Sequence, residues 1–373
     1  MTDYIHERED WPKFTWKQGD ITKPLADLHL HQGHLLGRMS SLGFFQRDEA
    51  VLKALTQDVV KSSEIEGEIL NADQVRSSIA KRLGMDAAGL PPADHRVEGV
   101  VQMTLEATQN FLRPLTKERL WSWHISLFPN APRNIKVGGW RDDSQGPMQV
   151  VSGGIGHERV HYQAPPAKLL DAEMTAFIDW ANQSDGIDPV LRAAKAHLWF
   201  VTIHPFDDGN GRIARAIADW ALARSENSSR RYYSMSAQIR RERKDYYDVL
   251  ERTQKGTLDV TEWMLWFLSC LDRAIAGTEE SLNAVFERDR FWKTYANRSL
   301  NERQRLMLNK LLDGEFKGKL ASSKWGKLAG CSQDTAHRDI ASLIEQGILT
   351  QDSSGGRSTS YSLNWPAPEG SMQ

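Results

Sequence analysis

The stretch His204-Pro205-Phe206-Asp207-Asp208-Gly209-Asn210-Gly211-Arg212-Ile213-Ala214-Arg215 decides how the middle of this chain folds. Before it runs DPVLRAAKAHLWFVTI, an apolar helical pattern that must end at His204, because Pro205 disfavours helical geometry at the residue preceding it. After it runs RIARAIADWALAR, which opens a second helix at once. Gly209 and Gly211 permit left-handed or otherwise forbidden backbone in the short loop between. The expected unit is two helices joined by a tight loop, with His204 at one end and Arg212 and Arg215 at the other.

That arrangement has a chemical reading. Successive backbone N–H groups at a helix start form a nest for an anion such as phosphate. Arg212 and Arg215, three apart, project from one face of the first turn and can grip a polyphosphate. Cations there oppose the helix dipole at about 0.3–1 kcal/mol each, so an anion is expected beside them. Asp208 offers the hard oxygen that a magnesium ion shared with substrate phosphates requires. His204 supplies a base with an ordinary pKa of about 6.5. These are the parts of a phosphoryl or nucleotidyl transfer site.

Outward from this centre the chain is mainly α. From about Leu25 to Leu112 apolar residues recur three or four apart, as at Val51, Leu52, Leu55, Val59 and Ile65, with one break at Gly84 to Asp94 around Pro91 and Pro92. Trp11, Phe14 and Trp16 read as anchors of an extended N-terminal arm. MQVVSG and RVHYQ, flanking GGIGHE, read as a β-hairpin. Helical texture resumes at Lys168 and runs to about Phe291. From Ser299 helix, helix, tight turn, helix and hairpin follow in the order of a winged helix-turn-helix. Gln333, Thr335, His337 and Arg338 open its candidate recognition helix. The expected division is 1–115 helical region, 116–275 catalytic core, 276–298 linker helix, 299–365 winged helix and 366–373 disordered tail.

Bulk composition narrows the class. The 373 residues carry a net charge of -2, which calls for neither a nucleic acid nor a membrane as partner. The segment 299–365 holds nine Lys or Arg against seven Asp or Glu, a thin footprint for DNA. Its role is left open between DNA contact and protein docking or homodimer formation. Trp263 to Leu271, the most apolar stretch, is too short to span a bilayer. Cys270 and Cys331 support neither a disulfide framework nor a zinc site, and a reducing cytoplasm fits best.

HPFDDGNGRIAR resembles the signature HxFx(D/E)GNGRxxR of the Fic family, agreeing at every specified position. Upstream, Ser62-Ser63-Glu64-Ile65-Glu66-Gly67 resembles that family's inhibitory motif (S/T)xxxE(G/N). The resemblance implies a protein adenylyltransferase that moves AMP from ATP to a Ser, Thr or Tyr hydroxyl of a target protein or of itself. In that scheme His204 takes the hydroxyl proton and Asp208 holds Mg2+. Gly209, Asn210 and Gly211 cradle the phosphates, and Arg212 and Arg215 bind the outer ones. Ser62 and Glu66 form the brake, with Glu66 on Arg215, and the resemblance leaves open whether the same glutamate also directs removal of AMP. The hairpin from about Met148 to Tyr162 is similar to the family's flap, where a target segment docks by strand addition. Tyr246 and Tyr247 either border the adenine or belong to the core. Intact glycines favour AMP transfer over the phosphorylation of the Doc-type kinases. A DNA-binding regulator whose Fic-like core senses ATP is the alternative.

Overall fold

The computed structural model describes residues 4–85, 91–131, 135–153, 159–312, 319–352 and 359–365. The centre of the predicted 84–94 loop, both hairpin turns and the predicted disordered tail at 366–373 lie outside the described residues. The chain divides into two compact units, Met1–Glu279 and Glu280–Gln373. In the first, α1 (Gln18–Ser41), α2 (Phe44–Ile65), α3 (Ala72–Arg82), α4 (His95–Gln109) and α5 (Lys117–Leu127) precede the hairpin of β1 (Gln149–Ser152) and β2 (Arg159–Gln163). Then come α6 (Leu170–Asn182), α7 (Pro189–Ile203), α8 (Asn210–Ser225), α9 (Met235–Arg241), α10 (Arg243–Gln254) and α11 (Thr261–Thr294), whose residues to Glu279 belong to this unit.

The α7–α8 pair is the spine. Asp188 caps α7 by accepting from the Val190 N–H at 2.9 Å, and Pro189 occupies the first turn, where its missing N–H costs nothing. Along α7 every residue from Ala193 to Ile203 is buried, so this helix is wrapped on all sides and needs no polar face. Its aromatic residues Trp199 and Phe200 meet Phe177 of α6, and Trp11 and Phe14 of the N-terminal arm lie edge-on to Trp199. Trp16 instead stays partly exposed and donates to Gln18.

Two expectations for the N-terminal region are corrected. Helix α1 begins at Gln18, ahead of the expected Leu25, and carries Pro24 inside it. One proline near a helix start forfeits a single backbone bond, which the flanking turns outlast. The stretch to Leu112 also breaks at Leu42–Gly43 and again after Ile65, beyond the one break expected. The second break is a Schellman ending: Gly67 takes φ +83°, and the Glu68 N–H reaches back to the Ser63 carbonyl at 3.0 Å. Asn71 then caps α3 through the Asp73 and Gln74 N–H groups.

The second unit contains α12 (Glu302–Leu312), α13 (Ser322–Ala329), α14 (Gln333–Glu345) and a hairpin of β3 (Leu349–Gln351) with β4 (Tyr361–Leu363). Met307, Leu308, Trp325, Ile340 and Leu343 form its core. Gly330 at φ +65° ends α13, and the Ser332 hydroxyl caps α14 by accepting from the Thr335 N–H. Gln333, His337 and Arg338 are exposed on α14, with Thr335 half-buried. Among the described residues the fold is mainly helical, with two small antiparallel hairpins. Among the described residues no helix is long and apolar enough to cross a membrane.

Candidate active site

The loop between α7 and α8 is pinned from both sides. Inside, the Asn210 side chain spans it, accepting from the Phe206 N–H at 3.0 Å and donating to the Phe206 carbonyl at 2.7 Å. Phe206 is fully buried and stacks on His124 of α5 at 4.1 Å. From outside, the buried Arg141 donates through Nε to the His204 carbonyl at 2.8 Å, and its N–H donates to the Pro205 carbonyl at 2.9 Å. His124 Nε2 donates to the Asp208 carbonyl at 3.2 Å while Nδ1 accepts from the Gly138 N–H at 3.2 Å. Burial lowers the His124 pKa to about 4, so it is a neutral imidazole using both nitrogens as struts. Gly209 sits at φ +84°, where a Cβ would also press on Leu127 and Phe128 at 3.1 Å.

This scaffold presents His204 in an unusual conformation. Its φ of 51° and ψ of 59° are left-handed, uncommon outside glycine and worth about 1–2 kcal/mol of strain. The bonds from Arg141 compensate for it. His204 Nδ1 lies 3.1 Å from the Val201 carbonyl, which makes Nδ1 the protonated nitrogen and leaves Nε2 with a lone pair. Burial lowers its pKa to about 4, with the Val201 carbonyl opposing that shift. The residue still keeps a partly exposed edge on a cavity of about 830 Å³. Asp208, Gly209, Asn210 and Gly211 line the same cavity, as do Glu66, Tyr247 and both hairpin strands.

At the other end, α8 makes its first intrahelical bond from the Ile213 N–H to the Gly209 carbonyl, so the N–H groups of residues 210–212 precede it. The Schellman turn delivers two carboxylates here. Glu66 Oε1 is 2.8 Å from Arg215 Nη2 and only 2.1 Å from where a Cβ on Gly211 would stand. It therefore lies over the first turn of α8, and the glycine makes room for it. Ser62 completes the grip, its hydroxyl accepting from Arg215 Nε and its carbonyl from Nη2, each at 2.9 Å. Glu68 Oε2 holds Arg212 Nη1 at 2.8 Å while Oε1 pairs with Arg96. Both site arginines are buried, with the Arg212 guanidinium 5.1 Å over the Phe128 ring.

Asp208 fits a metal role in one respect. Its Oδ1 accepts from the Gly209 N–H at 2.6 Å, and the exposed carboxylate has Oδ2 3.7 Å from Arg212 Nη2. Among the described residues no group of three His, Cys, Asp or Glu side chains could hold an ion, so a cation here would need substrate oxygens as well. Tyr246 is a core residue whose hydroxyl lies 2.9 Å from His197 Nε2, although its ring reaches the cavity wall. Tyr247 is half-buried against Arg243 and lines the cavity.

Sequence reasoning missed Glu68, His124 and Arg141. Glu68 carried a signal, being two residues beyond Glu66 across a helix-ending glycine. His124 and Arg141 are distant in sequence and carried none.

Residues 114–222 match the model of the Fic/DOC family, and residues 4–85 match a domain of unknown function, DUF4172. Protein adenylyltransferase Fic of Nematostella vectensis is 34% identical over 114 residues, 30% of this chain and 25% of that protein. Uridine 5'-monophosphate transferase of Xanthomonas campestris pv. campestris (strain 8004) is 27% identical over 167 residues, 40% of this chain and 29% of that protein. The aligned region thus spans well under half the length of these curated relatives. A crystal structure of a Fic family protein from Desulfovibrio desulfuricans G20 shares the fold with a TM-score of 0.56 at 21% identity, covering 96% of this chain and 99% of that one.

Proposed function

The chain is a Fic/DOC-family protein, and from that premise we propose that it transfers AMP from ATP to a hydroxyl of a target protein and is held at rest by Glu66. The observation that carries this reading is the shared cavity: the unprotonated Nε2 of His204 and the α8 N-terminus open onto one space, beside a β-hairpin. A target Ser, Thr or Tyr hydroxyl seated over His204 gives its proton to Nε2 and attacks the α-phosphorus, and pyrophosphate leaves. The α8 N-terminus with Arg212 and Arg215 binds the phosphates, while Asp208 would hold a magnesium ion that offsets their charge. The exposed β1–β2 edge, with Val151 48% and Val160 36% exposed, offers main-chain pairing to an extended target segment.

Glu66 occupies the same helix start as the phosphates would, and it ion-pairs with Arg215. An ATP bound beside it is displaced from in-line geometry. A misplacement of about 1 Å costs on the order of a hundredfold in rate. A cytoplasmic setting, where ATP and magnesium are available, belongs to the same reading.

The test is a transfer assay with the Glu66→Gly protein, magnesium, and ATP or UTP labelled at the α-phosphate, read as label on proteins other than the enzyme. Label from ATP that disappears with His204→Ala is the expected result. Transfer from UTP alone would reassign the nucleotide, since one of the similar proteins is a uridine 5'-monophosphate transferase. Label unaffected by His204→Ala would sink the mechanism. The exposed Gln333, His337 and Arg338 of α14 favour one second reading, a DNA-binding regulator that senses ATP. A gel shift without transfer activity would decide for it.

A further inference from the structure

The β1–β2 hairpin carries an arrangement that neither strand pairing nor cavity lining requires. Val150 pairs with Tyr162 and Val151 with Val160, so two adjacent residues of β1 face two of β2 that skip His161. His161 is thus the extra residue of a β-bulge, a device that turns a side chain out of register. The side chain it turns lies between two groups. Its Nε2 is 2.5 Å from the Ser152 hydroxyl, and its Nδ1 is 2.6 Å from Glu251 Oε2 on α10. Ser152 pairs with Arg159 across the hairpin, and His161 is its diagonal neighbour.

The tautomer follows from Glu251. Against the opposing effect of burial, bonds from Lys255, His161 and Arg159 hold its pKa down at about 2, so it is a carboxylate that can only accept. His161 therefore donates from Nδ1, and in the neutral imidazole Nε2 is then the acceptor for the Ser152 O–H. A serine donating to an imidazole that a partly buried carboxylate orients is the geometry of an activated nucleophile. Anchoring the hairpin to α10 would account for the contacts of Arg159 and His161 with Glu251. It does not account for the Ser152 bond. Ser152 is exposed, and it lines the same cavity as His204 and the α8 N-terminus.

We propose that Ser152 is a self-modification site, taking a nucleoside monophosphate from a nucleoside triphosphate bound in this cavity, with His161 as its base and Glu251 orienting that base. The proposal rests on the nucleotidyl transfer reading above. In the step, Ser152 Oγ forms a bond to the α-phosphorus, the bond from that phosphorus to the bridging oxygen breaks, and pyrophosphate departs. The hydroxyl proton passes to His161 Nε2. The product is a phosphodiester on the hairpin edge, where a bulky anionic group would obstruct pairing with a target segment.

The experiment is peptide mapping by mass spectrometry of the Glu66→Gly protein after incubation with ATP and magnesium, with the lysate transfer assay run in parallel. A single AMP adduct on Ser152 is expected. His161→Ala in the same background should lower Ser152 occupancy at least tenfold. Label on other proteins with Ser152 unmodified overturns this inference alone. Absence of transfer to any protein overturns the transfer reading and this inference with it. Ser152 occupancy that survives His161→Ala unchanged refutes the activated serine. Ser152 and His161 are on a surface hairpin, and a thermal melt matching the parent protein certifies that loss of label is not loss of fold.

Discussion

The two ends of the segment His204–Arg215 stand in opposite states in the same structure. At the first end, His204 is neutral, its tautomer fixed by Val201 so that Nε2 keeps the lone pair, and the residue lines the cavity. At the other, Arg212 and Arg215 are buried against Glu68 and Glu66. On the proposed transfer reading, His204 is the base end, prepared for chemistry, while the phosphate end is occupied by carboxylates. On the same reading, control would act on where the nucleotide lies and leave the proton acceptor untouched. It also costs little to reverse, because displacing a carboxylate needs no rebuilding of a strained loop.

Breaking the base end should have the largest effect. His204→Ala removes the proton acceptor and lowers transfer to target proteins by about a thousandfold, within the usual range for general-base loss. Adding Glu66→Gly should not restore it, since that change repairs only the other end. Rescue of His204→Ala by Glu66→Gly, measured with labelled ATP, would abolish the distinction between the ends. Glu66→Gly alone should raise transfer by about a hundredfold, the value of restoring phosphate alignment. Arg215 keeps its two bonds to Ser62, so the variant should lose only about 1–2 kcal/mol of stability in denaturant titration.

How far the sequence could reveal these ends depended on whether the cause was local. Pro205 after His204, Gly209 and Gly211 before the arginines, and the apolar run of α7 all act on their immediate neighbours. The helix–loop–helix and its order of residues were therefore readable in advance. Gly67 is also local, yet its consequence was missed: a left-handed residue ending α2 turns Glu68 toward α8 together with Glu66. The struts to the loop were not readable, because Arg141 and His124 reach it only through tertiary folding. The start of α1 was misjudged for the opposite reason, a proline whose local cost the surrounding helix absorbs.

The second carboxylate sharpens the comparison by asking whether one latch or two hold the phosphate end. Glu68 divides itself between Arg212 and Arg96, and its side chain remains 21% exposed. Its hold on Arg212 is worth about 1 kcal/mol, typical of a partly solvated pair. Glu68→Gln should accordingly raise transfer by about fivefold, and its gain should persist on top of Glu66→Gly. If Glu68→Gln changes nothing in the Glu66→Gly background, Arg212 is not limiting and the latch is single.

The smallest effect is the one that reads the base end directly. Burial lowers the His204 pKa to about 4, so the base-competent neutral form is complete above that value and is lost only as pH falls through it. An ordinary histidine of pKa about 6.5 would lose about eightfold of its neutral form between pH 7 and 5.5. For this protein kcat/KM, which reports the free enzyme, should fall by less than about twofold over the same interval. Glu66 and Asp208 raise the His204 pKa while Arg141 lowers it. Removing Glu66 therefore moves the acid limb down in pH and never up. A limb near 6.5, or one that rises in Glu66→Gly, would mean that His204 is solvated before substrate arrives and that the base end is no more prepared than the phosphate end.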